Sequence, residues 1–313
     1  MLGAIRKLVF GISAQDTSFE RREFRGGSPA MRSRLEKIGK AFVDGYHAAL
    51  DDHHLDALVP KLRQVDRDLE GFAFEGAAMG LALLDRLTPW WPNRLQAFLE
   101  GAGGDHAYMV HVGVGWVIAR IPGNVERQLS RLDPLLRWLA MDGYGFHEGF
   151  FRWRQYLAGQ PAPNRVQGYA RRAFDQGLGR CLWFIDGGDV KRIPQTIGAL
   201  AAPRGGDLWS GVGLASVYAG GVGAEELRNL RQAAGEFQPQ LAQGAAFAAK
   251  ARLRAGNATA YTGLASEILC GLTAEAAAEI TNEILEDLSD DADEPAYEVW
   301  RKRVQERLKS VQA

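Results

Sequence analysis

Cysteine is almost absent from this sequence. Cys181 and Cys270 are its only two, both in apolar surroundings, which excludes a disulfide framework and fits a reducing cytoplasm. No apolar run approaches the roughly 20 residues needed to cross a bilayer, so stable membrane insertion is not expected. The opening segment, Met1 to Ser13, has Arg6 and Lys7 splitting its apolar positions and does not read as a secretory signal. Its apolar residues (Leu2, Ile5, Leu8, Val9) fit a short amphipathic helix docked on the body. Net charge is lacking as well: 37 Lys and Arg against 38 Asp and Glu leave −1, with no global field to attract nucleic acid. Strict polar–apolar alternation over a strand length is hard to find. A phosphate-loop Gly-Lys-Ser/Thr, zinc-ligand spacing, a serine nucleophile elbow and a kinase signature are all missing, so neither cofactor nor metal is expected.

Hydrophobic residues make up 46% of the chain, enough for a buried core. Apolar residues at spacings of three and four recur from Arg34 to Leu308, with short Pro- and Gly-marked connections such as Thr88-Pro89, Gln160 to Pro163 and Gly220 to Gly223. The fold class read from this pattern is all-α, a single multi-helix array. The best strand candidate, Tyr108 to Ile121, is interrupted by glycine and reads equally as helix. Charge is segregated locally. Residues 1–40 carry nine basic and four acidic residues and read as a basic arm, whereas Glu275 to Glu298 holds ten acids and no Lys or Arg. Such blocks are solvated faces or contact surfaces.

Glycine is the residue in surplus, 37 in all, and it returns in one setting: apolar, any residue, polar, Gly. Phe42 to Gly45, Ala73 to Gly76, Phe146 to Gly149, Phe174 to Gly177 and Leu241 to Gly244 follow it, and Ala260 to Gly263 more weakly. Each lies in a helical stretch, where glycine costs about 1 kcal/mol relative to alanine. Overlaying Gly45, Gly149 and Gly244 gives two to three copies of a unit of roughly 100 residues, at about 41–125, 135–223 and 225–313. In the first two copies His111 to Trp116 matches Ser210 to Ala215.

Two readings of these glycines follow. In one, they let helix backbones approach closely. In the other, the preceding polar residues gather round a cavity, with Asp44, Glu148 and Gln243 at one level and Glu75, Gln176 and Thr262 at another. Buried carboxylates are costly unless paired or functional. A cavity containing Glu75 and Glu148 would then be an acid/base site, with His111 and His147 as proton carriers. The aromatic cluster of the middle copy, including Trp183 and Trp209, would be core or would wall an elongated apolar pocket. Cys181, set between Arg180 and Leu182-Trp183-Phe184, reads as a buried structural thiol. The stretch Asp51 to Asp56, with its paired acids and His53-His54, reads as a solvated helix end.

Longer stretches carry a family resemblance. Asp142 to Phe151 (DGYGFHEGFF), Phe174 to Phe184 (FDQGLGRCLWF), Arg204 to Gly221 (RGGDLWSGVGLASVYAGG) and His111 to Arg120 (HVGVGWVIAR) resemble the UnbL-type proteins of enediyne biosynthetic clusters. Thr17 to Arg25 and Phe247 to Gly256 fit as well, so the resemblance runs over nearly the whole chain. It implies a context: proteins accompanying an iterative polyketide synthase that makes a linear polyene, together with further conserved proteins that convert the polyene to the enediyne core. A polyene-type small molecule and those biosynthetic proteins are the partners it implies. It assigns no catalytic residue. Two functions remain open at this point, an enzyme or enzyme subunit acting on a polyene-derived intermediate and a non-catalytic scaffold or carrier that docks partner proteins.

Overall fold

The computed structural model describes residues 2–90, 93–286, 288 and 294–312, which form helices and turns and no strand. α1 (Leu2–Phe10) and the single turn α2 (Phe19–Arg22) precede α3 (Pro29–Asp51). Ser28 Oγ caps α3 by accepting from Met31 N–H, and Pro29 occupies the first turn, where no helical partner is lost. α4 (Leu55–Leu62), α5 (Glu70–Leu87), α6 (Arg94–Glu100), α7 (Ala107–Arg120), α8 (Val125–Leu129) and α9 (Arg137–Leu157) follow. Next come α10 (Tyr169–Ile185), α11 (Arg192–Gly198), α12 (Gly205–Tyr218), α13 (Ala224–Ala233) and α14 (Gln238–Arg254). The chain closes with α15 (Ala260–Cys270), α16 (Ala274–Glu286) and α17 (Ala296–Gln312). The segment that read equally as strand or helix is α7.

Seven helices, α3, α5, α7, α9, α10, α12 and α14, pack each on the next in that order. Neighbours run in the same direction, because equivalent ends meet. Arg34 near the start of α3 pairs with Asp68 just before α5 at 3.1 Å, while Ala49 meets Gly80 nearer their ends. Arg172 and Asp207 pair near the starts of α10 and α12, and Trp183 Nε1 donates to Gly220 O beyond their ends. Parallel neighbours need a return stretch, which α4, α6, α8, α11, α13 and the 158–168 segment supply. The series curls back on itself: Arg34 Nε donates to Ala219 O after α12, Arg252 of α14 donates to Asp68 O, and Phe72 packs edge-on against Tyr218. A central space is enclosed.

The contacts between these helices are made backbone to backbone. A Cβ on Gly45 would stand 2.0 Å from Ala73 O, and one on Gly76 1.9 Å from Phe42 O. Reciprocal pairs join α7 to α9 (Gly115, Gly143), α9 to α10 (Gly145, Gly177), α10 to α12 (Gly179, Gly211) and α12 to α14 (Gly213, Gly244). Only a residue without Cβ admits a carbonyl that close, and each such contact adds a Cα–H···O attraction of about 0.5–1 kcal/mol. Close packing is therefore what these glycines do.

The recurring element is one helix with two glycines, the first facing the preceding helix and the second the next. Gly143 and Gly145, Gly177 and Gly179, and Gly211 and Gly213 follow one another at steps of 34 residues. The register of roughly 100 residues instead superposes glycines in unlike settings. Gly45 and Gly244 meet backbone, Gly149 meets the side chains of Leu178 and Cys181, and Gly263 meets nothing within 4 Å. Copies at 41–125, 135–223 and 225–313 are not established by these contacts.

The basic N-terminal stretch does not stand apart, because α3 runs across residue 40. Phe19 and Phe24 are buried, Arg25 pairs with the buried Asp186 at 2.5 Å, and Trp153 Nε1 donates to Arg22 O. In the acidic stretch, Glu298 is buried between Arg172 (2.7 Å) and Arg301 (3.1 Å), and Asp287, Asp290, Asp291 and Asp293 lie outside the described residues.

Candidate ligand cavity

Two cavities lie inside the array and share the wall residues Met109, Arg180, Leu214 and Tyr218. The first is lined by Phe42 of α3, Phe72 and Glu75 of α5, Trp116 of α7, Phe146 and Phe150 of α9 and Phe184 of α10. Its volume is about 50 Å³, so it is a narrow slot. Its wall is a run of ring contacts. Trp116 lies 4.3 Å from Phe42, 5.8 Å from Phe146 and 6.2 Å from Phe150, centroid to centroid. The second cavity, about 30 Å³, is bounded by Tyr108, Phe247, Lys250, Tyr297 and Trp300 on the far side of the shared wall.

Glu75 is the one carboxylate lining the first cavity among the described residues. It accepts a 3.3 Å hydrogen bond from Trp116 Nε1. Burial pushes its carboxyl up to about 7; the charge of Arg180 and the Trp116 hydrogen bond pull the other way, and nearby Asp142 adds to the rise. Arg180 acts on Glu75 across space, since its own Nε lies 3.2 Å from Asp142 Oδ1, an ion pair without hydrogen-bond alignment. The guanidinium also sits over the Phe146 ring at 5.0 Å. An acid half-protonated near neutral pH beside a cation on an aromatic wall is suited to proton exchange with a bound apolar molecule.

A belt of polar side chains crosses the helices one turn from the cavity wall. Gln176 Nε2 donates to Asp142 Oδ2 at 2.8 Å. Ser210 Oγ donates to Gln243 Oε1 at 2.9 Å, with Gln176 Oε1 at 3.4 Å, and Arg301 Nε reaches Gln243 at 3.3 Å. Each belt residue directly precedes the first glycine of its helix, and the residue directly after the second glycine lines a cavity. Asp142 and Phe146, Gln176 and Arg180, and Ser210 and Leu214 are pairs of this kind, four residues apart and hence on one helix face. In α7 the corresponding residues are Val112, which itself lines the second cavity, and Trp116; α14 has Gly244 but no second glycine, and Gln243 and Phe247 stand there with the same spacing of four.

The residues singled out from sequence separate accordingly. Glu75 faces the cavity and Glu148 does not. Glu148 accepts from Tyr156 OH (2.9 Å) and Arg152 Nη1 (3.2 Å) and stands 3.3 Å from His147 Nδ1. Burial pushes its carboxyl up, but those hydrogen bonds and the Arg152 charge outweigh it and hold it below the usual glutamate range. The two acids do not converge. His147 packs edge-on against Trp116 at 5.3 Å, behind the cavity wall. His111 contacts Ala107 O in its own helix at 2.8 Å and lines neither cavity. Burial lowers the pKa of both. Asp44 is exposed and pairs with Lys40 at 2.5 Å on the surface of α3. It lines neither cavity, as Glu148 and Gln243 do not. Gln176 and Gln243 belong to the belt, outside the cavity linings.

Thr262 forms the capping box of α15 with Thr259. Trp183 is fully buried, with its indole bonded to Gly220 O, and Trp209 is core. Cys181 is buried and burial holds its thiol well above the usual range, as expected of a structural cysteine. Asp52, His53 and His54 place ligand atoms within 4.8 Å of one another at the end of α3, where they are partly exposed. Arg180, Asp142, Ser210 and Lys250 were not singled out from sequence. The Gly-x-Gly pairs held the signal for the first three; the fourth had none.

The fold and cavity define an all-helical protein whose glycine-packed parallel helices surround an aromatic slot with one acid and one cation. Over residues 1–308 the chain matches the family described as Protein of unknown function (DUF1702), and it belongs to that family. No curated protein and no solved structure matches it.

Proposed function

We propose that this protein binds a linear polyene-type molecule in the aromatic slot, and that it serves enediyne biosynthesis as an UnbL-type protein acting on a polyene-derived polyketide intermediate during core formation. The observation that carries the reading is the slot itself: narrow, walled by Phe42, Phe72, Trp116, Phe146 and Phe150, and charged at Glu75 and Arg180. Flat conjugated chains stack on such walls, and a mostly apolar pocket with a few polar groups is the usual form of a small-molecule site. Glu75 is the acid/base group of this reading, exchanging a proton with the bound chain, while Arg180 stabilises negative charge that develops there.

A second reading, a carrier that shields the polyene without changing it, draws on Glu148. Its carboxylate is engaged by Tyr156, Arg152 and His147 outside the slot, so the slot offers one acid and not two. Mixing the purified protein with the polyene released by its cognate synthase distinguishes the readings. A new mass that disappears in Glu75→Gln supports chemistry at Glu75. A shifted polyene absorbance band with unchanged mass supports the carrier. An unshifted band with unchanged mass overturns both.

A further inference from the structure

Lys250 is a buried cation with one hydrogen-bond acceptor and no carboxylate beside it among the described residues. It belongs to α14 and lines the second cavity, with 7% of its surface exposed. Among the described residues no carboxylate lies within ion-pair distance of it. Its ammonium donates to Asn282 Oδ1 and stands 5.4 Å from the centroid of the Trp300 ring. Glu279, whose charge acts on Lys250, accepts from Asn282 Nδ2 at 3.0 Å. Burial draws the Lys250 pKa down to about 8, the charge of Arg254 adding to that and Glu279 opposing it. An ammonium has three donors, and a buried cation without a counter-ion is costly unless something completes it. Arg301 and Arg180 are completed by carboxylates, Arg301 by Asp207 at 2.8 Å and Glu298 at 3.1 Å and Arg180 by Asp142. The buried Arg252, which has no carboxylate beside it among the described residues, donates to the carbonyls of Asp68 and Tyr218, whereas Lys250 has the single acceptor on Asn282.

The position of this lysine matters as much as its lack of a partner. The second cavity meets the first at Met109, Arg180, Leu214 and Tyr218. Met109 and Leu214 are flexible apolar side chains, and rotation of the two would join the cavities into one elongated passage. Glu75 would then lie on one side of the join and Lys250 on the other. We propose that Lys250 is an anion-recognition group, holding the terminal carboxylate of a linear unsaturated chain whose apolar body passes the shared wall into the aromatic slot. A single ammonium matches a single negative charge, and the surrounding Tyr108, Phe247, Tyr297 and Trp300 exclude the water that would otherwise screen it. This inference rests on the reading of the central slot as the ligand site and adds to it the chemical class of the ligand's end.

The test uses parinaric acid, a conjugated tetraene fatty acid whose fluorescence rises in apolar surroundings, and its methyl ester. Both are titrated into the wild-type protein, Lys250→Met and Lys250→Arg, with the fold of each variant checked by circular dichroism and thermal melting. The wild type should hold the acid at least about tenfold tighter than the ester, as expected of a charge-assisted hydrogen bond. Lys250→Met should bring the acid down to the ester's affinity and leave the ester unchanged, while Lys250→Arg keeps most of the preference. Equal wild-type affinity for acid and ester overturns the inference, as does an equal loss of both in Lys250→Met; either leaves the slot reading standing. Failure of both probes to bind the wild type overturns the slot reading and this inference with it. If Lys250→Met does not fold, the wild-type acid-to-ester ratio and Lys250→Arg decide.

Discussion

Replacing Glu75 with glutamine should make this protein more stable, and only at high pH. The carboxyl is 3% exposed, and its pKa rises from 4.5 to about 7, chiefly by burial. An acid whose folded-state pKa is raised binds its proton more tightly in the folded state. The stability linked to that proton is fully present below the unfolded value and is lost as pH rises through the folded one. The span from 4.5 to about 7, at roughly 1.4 kcal/mol per unit, is worth about 3 kcal/mol. Glutamine is nearly isosteric, keeps an acceptor for Trp116 Nε1 and never ionises. At about pH 4 the variant should therefore match the wild type, and at about pH 8 it should exceed it by up to about 3 kcal/mol. A domain of 150–250 residues gains roughly 2–4 °C per kcal/mol, and a longer chain less, so the melting temperature should rise by several degrees. Urea titration of both proteins across this range measures the difference between them, in which the other titrating groups cancel. A gap that stays constant with pH, or one that opens toward low pH, would refute the assignment of Glu75 as a carboxyl destabilised by ionisation.

Two further outcomes follow from the packing. Gly177→Ala puts a methyl 1.8 Å from Asp142 O and should cost more than about 3 kcal/mol, because the contact is backbone and cannot yield without separating α9 from α10. Gly263→Ala, in α15 with nothing within 4 Å, should instead stabilise by about 0.5–1 kcal/mol through helix propensity, and paired thermal melts would show the opposite signs. Glu148→Gln removes charge from the hydrogen bonds to Tyr156 and Arg152 and should lower stability by about 1–3 kcal/mol while leaving polyene binding intact. Loss of binding at unchanged stability would instead place Glu148 at the ligand.

Much of the fold was open to inspection in the residues. Spacings of three and four gave the helices, and the cost of glycine inside them pointed to close backbone approach, which Gly45, Gly76, Gly177 and Gly244 make. The register was harder to see, and Gly149 shows why. It follows Glu148 as Gly177 follows Gln176, so a rule of polar residue then glycine treats the two alike. On α9, however, Gly149 lies one turn beyond Gly145, where the facing backbone of α10 has moved away and Leu178 and Cys181 fill the gap. Only the paired form, Gly-x-Gly, marks a crossing shared with both neighbours. Glu75 was found because burying an acid in an apolar helix is costly wherever it occurs. Glu148 drew attention for the same reason, but its compensation comes from Tyr156 and Arg152, beyond any local pattern. Lys250 sits in an Ala-rich stretch with no distinguishing neighbour, and only the third dimension reveals that its counter-charge is missing.

The paired glycines also explain why the slot is narrow and where its chemistry is set. Reducing the helix spacing to backbone contact draws the inner faces together, so large side chains four residues beyond the belt meet across the centre. In α7, α9, α10, α12 and α14 that position holds Trp116, Phe146, Arg180, Leu214 and Phe247. Four are apolar and one is charged, and the charged one lies between the two cavities, anchored by Asp142 from the neighbouring helix. In such a scaffold the glycines and belt hold the helices in place, while the apolar wall side chains meet chiefly space and one another, not the backbone of a neighbouring helix. A change at Trp116 or Phe146 thus alters the shape offered to a ligand, whereas a change at Gly143 or Gly177 alters whether the space exists. On the proposed ligand-binding reading, specificity and folding fall to different residues of the same short motif, so wall variants such as Phe146→Leu should shift ligand preference without loss of the fold.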